Sequence, residues 1–174
     1  MEIRRLRAED DRSQFRSGND DLDRFFRRFA GQNQFRHYVG VTYVAVEPDR
    51  VHGFVTVVAA QLEGDRVSTA LQRKLPGYPL PVLRLARLAV DATTQDQGLG
   101  TQLLRFVLQL AAKMSKDYGC VGIVVDAKPD AIDFYAKYGF VELTAVEGAS
   151  DARPRPHPMF LAMRAVLATD QGMH

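Results

Sequence analysis

A single cysteine, Cys120, stands in a chain of 174 residues, which excludes an intramolecular disulfide framework and a metal site built from several thiolates. Such a chain suits a reducing cytoplasm. No apolar run approaches the roughly 20 residues needed to cross a bilayer, and the opening MEIRRLRAEDD lacks the apolar centre of a signal peptide. The expectation is a cytoplasmic protein with no membrane partner. Charge of one sign is not in excess: the net charge is +2 and the sequence pI about 8.8, so overall charge does not announce a nucleic-acid binder. Any basic patch has to come from local clustering. Repeats and low-complexity tracts are missing, and only ARPRPHP (152–158) and the tail after Leu167 read as irregular. The four histidines, His37, His52, His157 and His174, are too scattered to suggest a metal site or a catalytic triad.

What is present is enough apolar residue, 46% of the chain, to build a full core for one domain spanning 1–174. A short strand is expected at 2–6. Asn19 or Asp20 then caps a helix whose apolar positions Leu22, Phe25, Phe26 and Phe29 follow helical spacing, with arginines on the other face. VTYVAVE and VHGFVTVVAAQLE flank PDR and read as an antiparallel hairpin. A short helix through Leu71, bounded by PGYP, leads into VLRLARLAV (82–90), whose near-continuous apolar character marks a central strand buried on both faces. Helical spacing returns from Leu99 to Met114, and Gly119 is the expected stop. The strand GIVVDA and the helix PDAIDFYAKYG follow, with Pro129 in the first turn, and GFVELTAV and MFLAMRAV complete the strands. This order predicts an α+β (α/β) fold, a mixed sheet with helices packed on it.

One stretch asks for an explanation. TTQDQGLGTQLL (93–104) places Gly98 and Gly100 where a helix should begin. A loop that runs from a strand into a helix start presents unpaired N–H groups at the positive end of the helix dipole, and both attract phosphate. Glycine lets the backbone approach such a ligand closely. No GK[ST] follows, so this is not a Walker loop, and the third glycine of the dinucleotide fingerprint is missing. An ordinary glycine-containing turn remains the alternative.

QDQGLG fits the [RQ]xxGx[GA] signature of the GNAT superfamily of acyl-CoA-dependent N-acetyltransferases, and AIDFYAKYGF resembles that family's second signature, AxxFYxxxGF. Two motifs in the right order on strand, helix, strand and helix are far more specific than either alone. Within the superfamily, LDRFF, TYVAV, LPGYPLPVLRLARLAV and VDAKPDAIDFYAKYGF look most like the TacT-type toxins, which acetylate the amino group of aminoacyl-tRNA. Those toxins commonly have Cys-Gly near the first helix, where this chain has Ser17 and Gly18. The resemblance implies a mostly antiparallel, splayed central sheet and acetyl-CoA as cofactor. It also implies that the main-chain N–H groups of Gln95, Asp96, Gln97, Gly98, Leu99, Gly100 and Thr101 hold the pyrophosphate, and that Leu88, Ala89 and Val90 pair with the pantetheine arm. A backbone N–H of that strand would face the thioester oxygen as an oxyanion hole. By the same resemblance Ala131 and Phe134 would flank the cofactor, while Lys128 replaces an asparagine found in many relatives. Tyr135 matches the family's general acid; an ordinary tyrosine pKa of about 10 keeps its hydroxyl protonated and able to donate at neutral pH. The alternative for Tyr135 is a packing aromatic.

No general base presents itself. Asp91 and Asp126 end strands near the expected site, but strand-end aspartates are more often caps or turn residues. Cys120 reads as a small buried hydrophobe rather than an acyl carrier. Basic residues cluster locally: Arg24, Arg27, Arg28 and Arg36 come without an acid between them, and Arg73 and Lys74 precede the strand that carries Arg84 and Arg87. Several such charges on one face suit a phosphate backbone, although a solvated helix face has the same composition. Arg87 interrupts an apolar strand and should therefore have a partner or a function. Arg24, Arg27, Arg28, Arg73, Lys74 and Arg87 are thus the candidate acceptor-binding residues. Three readings stay open: a toxin acting on aminoacyl-tRNA, an acetyltransferase of a small amine or protein amino group, and a non-catalytic acyl-CoA-binding sensor. For partners, the resemblance allows an aminoacyl-tRNA, a cognate antitoxin and a homodimer beside acetyl-CoA.

Overall fold

The computed structural model describes residues 1–63, 72–77, 79–143 and 157–172. Its strands are β1 (Glu2–Arg5), β2 (Val41–Glu47), β3 (Arg50–Leu62), β4 (Leu80–Val90), β5 (Gly122–Ala127), β6 (Val141–Glu142) and β7 (His157–Ala162). Its helices are α1 (Asp20–Arg24), continued by a π-helical turn (Phe25–Phe29) into α2 (Ala30–Phe35), then α3 (Leu99–Asp117), α4 (Ile132–Lys137) and α5 (Met163–Gly172). Among the described residues the strands form one sheet in the order β1-β2-β3-β4-β5-β7-β6, so β4 is central, as its apolar run predicts, but it is not buried on both faces: Arg84, Ala86, Leu88 and Val90 are only half-buried and Arg87 is exposed. The β1/β2, β2/β3, β5/β7 and β6/β7 pairings are antiparallel, and β4 and β5 are joined through α3, the kind of crossover that parallel neighbours need. This is the mixed, mostly antiparallel α/β architecture expected. No helix among the described residues is long and apolar enough to cross a membrane.

The chain packs as two compact units, one of Met1–Val58 with Leu85–Val107 and the other of Ala59–Arg84 with Leu108–His174. In the first, the β2–β3 hairpin pairs Glu47 with Arg50, but the register steps from Ala45↔Gly53 to Val46↔Val51, leaving His52 as the extra residue of a bulge. Alternate residues of β3 face opposite sides. Phe54 stacks on Phe26 with centroids 4.4 Å apart, and Phe15 lies edge-on to both rings; with Leu6, Phe25, Ala30, Val44, Val51 and Ala89 they form a buried cluster. Truncating a ring such as Phe54 to alanine would cost about 3–5 kcal/mol. Gly53 faces α3: a Cβ there would meet Leu99 and Leu103 side chains at 3.1 Å and the Ala89 carbonyl at 3.2 Å, so the missing side chain lets the start of α3 lie close on β3.

Asn19 caps α1 by accepting a hydrogen bond from the Leu22 N–H. The helix then departs from the expected periodicity. Ala30 N–H donates to the Phe25 carbonyl five residues back, and this widened turn moves every later residue by one place on the helical face. Ala30 is buried in the position anticipated for Phe29, and Phe29 is 42% exposed.

In the second unit, Gly119 (φ +100°) ends α3 with its N–H on the Met114 carbonyl, as its residue type predicts. β5 pairs with β7 along its whole length, Ile123 opposite Leu161, and Leu62, Val82, Val124 and Phe160 make a second buried cluster. Two expectations need correction here. MFLAMRAV is not all strand: Ala162 ends β7, and Met163 donates its N–H to the Val121 carbonyl and starts α5, which seats Val166 in the core. The supposed irregular tail after Leu167 is helical through Gly172. The helix expected at Leu71, residues 144–146 of GFVELTAV and 152–156 of ARPRPHP lie outside the described residues.

Candidate active site

The loop that leaves β4 is held by a buried carboxylate. Asp91 is 2% exposed and caps a 3-10 turn, Ala92–Thr94. One of its oxygens accepts from the Arg16 N–H at 2.9 Å; the other accepts from the Thr93 N–H at 3.1 Å, the Thr93 hydroxyl at 2.6 Å and Arg50 at 3.0 Å. Burial opposes ionisation of Asp91, but these hydrogen bonds and the Arg50 charge outweigh it and hold the carboxyl below the usual aspartate pKa. Main-chain bonds run alongside, from Asp91 N–H to the His52 carbonyl at the bulge and from Ala92 N–H to the Arg16 carbonyl. The Gln95 amide then straps the loop by donating to the Val90 and Ser17 carbonyls at 3.0 and 2.7 Å. Ser17 is itself fixed, its N–H and hydroxyl both donating to buried Asp23.

What this scaffold displays is bare backbone. Asp96 (φ +63°) and Gly98 (φ +83°) turn through the left-handed region just before α3 begins at Leu99. Residues 95–98 are exposed, while Leu99 is buried and anchors the helix start. A Cβ on Gly98 would meet nothing within 4 Å. The first N–H groups of a helix have no acceptor within it, so an open, preshaped turn at this end of α3 fits a pyrophosphate. Gly100 and Thr101 lie in that first turn. On β4, Ala89 points into the core cluster, and Leu88 and Val90, of opposite side-chain direction, are half-buried.

Tyr135 lies in the other unit, on α4, and is 5% exposed. The spacing of its motif has a local cause. Gly139 (φ +94°) donates to Ala136 and Phe140 N–H to the Tyr135 carbonyl, a Schellman close that returns the Phe140 ring to 5.4 Å from the Tyr135 ring. Phe134 stands edge-on to the same ring at 5.1 Å and is half-buried, as is Ala131. Burial raises the Tyr135 pKa well above the ordinary tyrosine value. No hydrogen bond among the described residues engages its hydroxyl. The one sealed and unpartnered side-chain nitrogen or oxygen among them is His52 Nδ1, so the Tyr135 hydroxyl, having no partner, keeps contact with solvent.

The other candidates sort by their partners. Asp126 is exposed and paired with Arg84 at 2.9 Å, and Asp91 is a cap; neither is placed as a general base. Cys120 is buried, its thiol on the Gly122 carbonyl at 3.2 Å and its pKa raised by burial. Arg24, Arg27 and Arg28 line one groove of about 460 Å³ together with Asp20. Arg24 also borders a second of about 300 Å³ with Asp21, Phe25, Phe29, Asn33 and Arg87. Arg87 is exposed rather than sealed in the strand, and its guanidinium lies 3.9 Å from the Phe25 ring centroid. Arg73 and Lys74 belong to the other unit, where both are exposed. Sequence reasoning missed Arg16, Ser17 and Arg50 as supports of the loop, because residues that meet across some 40 to 78 positions leave no local periodicity, and with them it missed Asp23, which fixes Ser17.

Residues 38–142 match the family model described as an acetyltransferase (GNAT) domain. A tRNA-acetylating toxin of Mycobacterium tuberculosis (strain ATCC 25618 / H37Rv) is 33% identical over 140 residues, covering 79% of this chain and 82% of the relative. Among solved structures, one described as a bacterial toxin superposes with a TM-score of 0.85 at 28% identity, covering 99% of this chain and 97% of its own. AtaTR bound with AcCoA superposes at 0.77 with 25% identity, covering 97% and 96%. With the family model matched over more than half the chain and a relative 33% identical over most of both chains, the chain belongs to the GNAT acetyltransferases.

Proposed function

We propose that this acetyl-CoA-dependent N-acetyltransferase acetylates the amino group of an aminoacyl-tRNA and acts as the toxin of a toxin–antitoxin pair. The observation that carries the acceptor is the grouping of Arg24, Arg27 and Arg28 around one groove, a set of charges that a phosphate backbone uses and a small amine does not. The likeness to a tRNA-acetylating toxin over most of both chains supports it.

Acetyl-CoA, when bound, supplies an acetyl group activated as a thioester. The main chain of residues 95–101 would hold its pyrophosphate, with Asp91 and Gln95 keeping the turn in shape. Leu88, Ala89 and Val90 would hold its arm along β4, and Ala131 and Phe134 would flank it. Tyr135 keeps its proton at neutral pH, because burial disfavours the phenolate, and is the group we assign to protonate the departing sulfur. A dedicated base is not needed on this reading: the amine of an aminoacyl ester is less basic than that of lysine, and water can take its proton. The compartment is the cytoplasm, where charged tRNA is found, and a homodimer is the assembly to look for by light scattering.

The test is a screen of the purified protein with labelled acetyl-CoA against a bulk pool of charged tRNA, polyamines and peptides. Label is expected on the amino acid of charged tRNA. Label confined to polyamine or peptide would move the protein to the small-amine or protein acetyltransferases, and cofactor binding with no label anywhere would make it a sensor.

A further inference from the structure

The groove beside Arg87 has a chemistry that phosphate binding alone leaves unused. The π-helical turn sets Phe29 outward, 42% exposed, and among the described residues its ring has no aromatic neighbour. In the same groove, Arg87 rests on the Phe25 ring and makes no hydrogen bond or ion pair among the described residues, so the donors on the guanidinium edge are open. Asn33, with both a donor and an acceptor, borders the same space. Arg24 joins this groove to the one that Arg27 and Arg28 line. The acid at the rim, Asp21, pairs with Arg24 at 3.3 Å, and both are well exposed, a pairing that a phosphate readily displaces.

An exposed ring, an open guanidinium plane, an amide and a track of cations together suit a flat aromatic heterocycle attached to a phosphate. Unstacked bases lie on aromatic rings and arginine planes, while the strand that carries them runs over positive charge. An acidic peptide would use the cations but leave Phe29 idle, and a lipid chain would meet charge on most sides.

We infer that the groove of Phe29, Asn33 and Arg87 receives an unpaired nucleobase of a single-stranded RNA end, stacked on Phe29 and Arg87 with its phosphate toward Arg24. This rests on the charged-tRNA reading, since the end of tRNA that carries the amino acid is single-stranded. It adds a place where an unpaired base is held by stacking, whatever its identity.

The probe is a short single-stranded RNA with 2-aminopurine at its 3′ end, whose fluorescence falls when the base stacks. The wild-type protein should quench it. Phe29→Leu removes the ring but keeps an apolar side chain at an exposed site, and Arg87→Lys keeps the charge but loses the plane. Each should weaken probe binding about tenfold, the scale of one lost base–aromatic stack, and reduce the residual quench at saturation, with thermal unfolding as the control for folding. Unchanged quench and affinity in both variants would overturn the inference, as would equally effective competition by an oligoglutamate peptide, which would reduce the site to charge alone. A protein that acetylates charged tRNA without quenching the probe keeps the acceptor reading and loses the groove. One that quenches the probe in a ring-dependent way but leaves charged tRNA unlabelled keeps the groove and loses the acceptor.

Discussion

Replacing Asp91 by alanine removes four hydrogen bonds at once: from the Arg16 and Thr93 main chain, from the Thr93 hydroxyl and from Arg50. A hydrogen bond to a charged acceptor contributes roughly 1.5–3 kcal/mol, but the values do not simply add. Two of the donating residues have somewhere else to turn. The Arg50 side chain is 45% exposed and Thr93 lies at the surface, so water takes up much of what they lose. The Arg16 N–H has less recourse, and the turn loses its cap. The net loss should therefore be about 3 kcal/mol, which lowers the Tm by about 6–12 °C in a chain of this size.

The pH dependence carries a sign that distinguishes this account from lost packing. The folded-state pKa of Asp91 is depressed, so the stabilisation is complete above the unfolded carboxyl pKa of about 3.9 and is lost as pH falls through the lower folded value. Asp91→Asn should be destabilised at pH 7, and its deficit relative to wild type should shrink below about pH 4. Because the same turn presents residues 95–98, acetyl-CoA affinity measured by calorimetry should fall about tenfold, the effect of about 1.4 kcal/mol. Unfolding of the alanine variant at the wild-type temperature would refute the assignment of Asp91 as the loop's support. A deficit of the asparagine variant that stayed constant down to pH 3 would refute its ionised role.

Four further outcomes follow from the site. Gly98→Glu puts a side chain in the left-handed region and a negative charge where phosphate is expected; nothing within 4 Å obstructs its Cβ, so calorimetry should find a folded protein with acetyl-CoA binding severely reduced. Tyr135→Phe should lower turnover by about 10²-fold or more, with cofactor affinity nearly intact; wild-type turnover would leave Tyr135 as packing only. Cys120→Ala should remain active in the same assay, because a buried thiol with a raised pKa is a poor acyl carrier. Reversing Arg27 and Arg28 to glutamate should weaken acetylation of charged tRNA and make the slope of log affinity against log salt shallower by about two, while acetyl-CoA binding stays as it was.

Features with a local cause were legible in the residues. Gly119 stops α3 and Gly139 closes α4 because each must take a positive φ, and the Asn19 cap and the β2–β3 hairpin depend on neighbours in sequence. β5 runs through all of GIVVDA for the same reason. The last strand was misread past Ala162 because MFLAMRAV is apolar throughout, and a short apolar run does not distinguish a strand from a buried helix start. At the site, QDQGLG and FYAKYGF each carried their geometry in their own spacing. The supports of the loop did not, because Arg16, Arg50 and Asp91 come together only when β3, β4 and the segment before α1 are in place.

The π-helical turn shows why a pattern read correctly can still give the wrong face. Leu22, Phe25, Phe26 and Phe29 do fit an α-helical stripe, but the first unit has to seat three rings, Phe15, Phe26 and Phe54, in edge and stacked contact. Small Ala30, 1% exposed, is the residue that follows them inward. One i→i+5 hydrogen bond, Ala30 to Phe25, exchanges Ala30 for Phe29 at that position. The exchange also determines the surface. Phe25 stays inside to carry the Arg87 guanidinium, Phe29 comes out beside it, and Arg27 and Arg28 border the neighbouring groove with Arg24. Core packing and the proposed acceptor face therefore share one cause: the irregularity that accommodates the aromatic core also brings Phe29 out into the groove that Arg24 and Arg87 border.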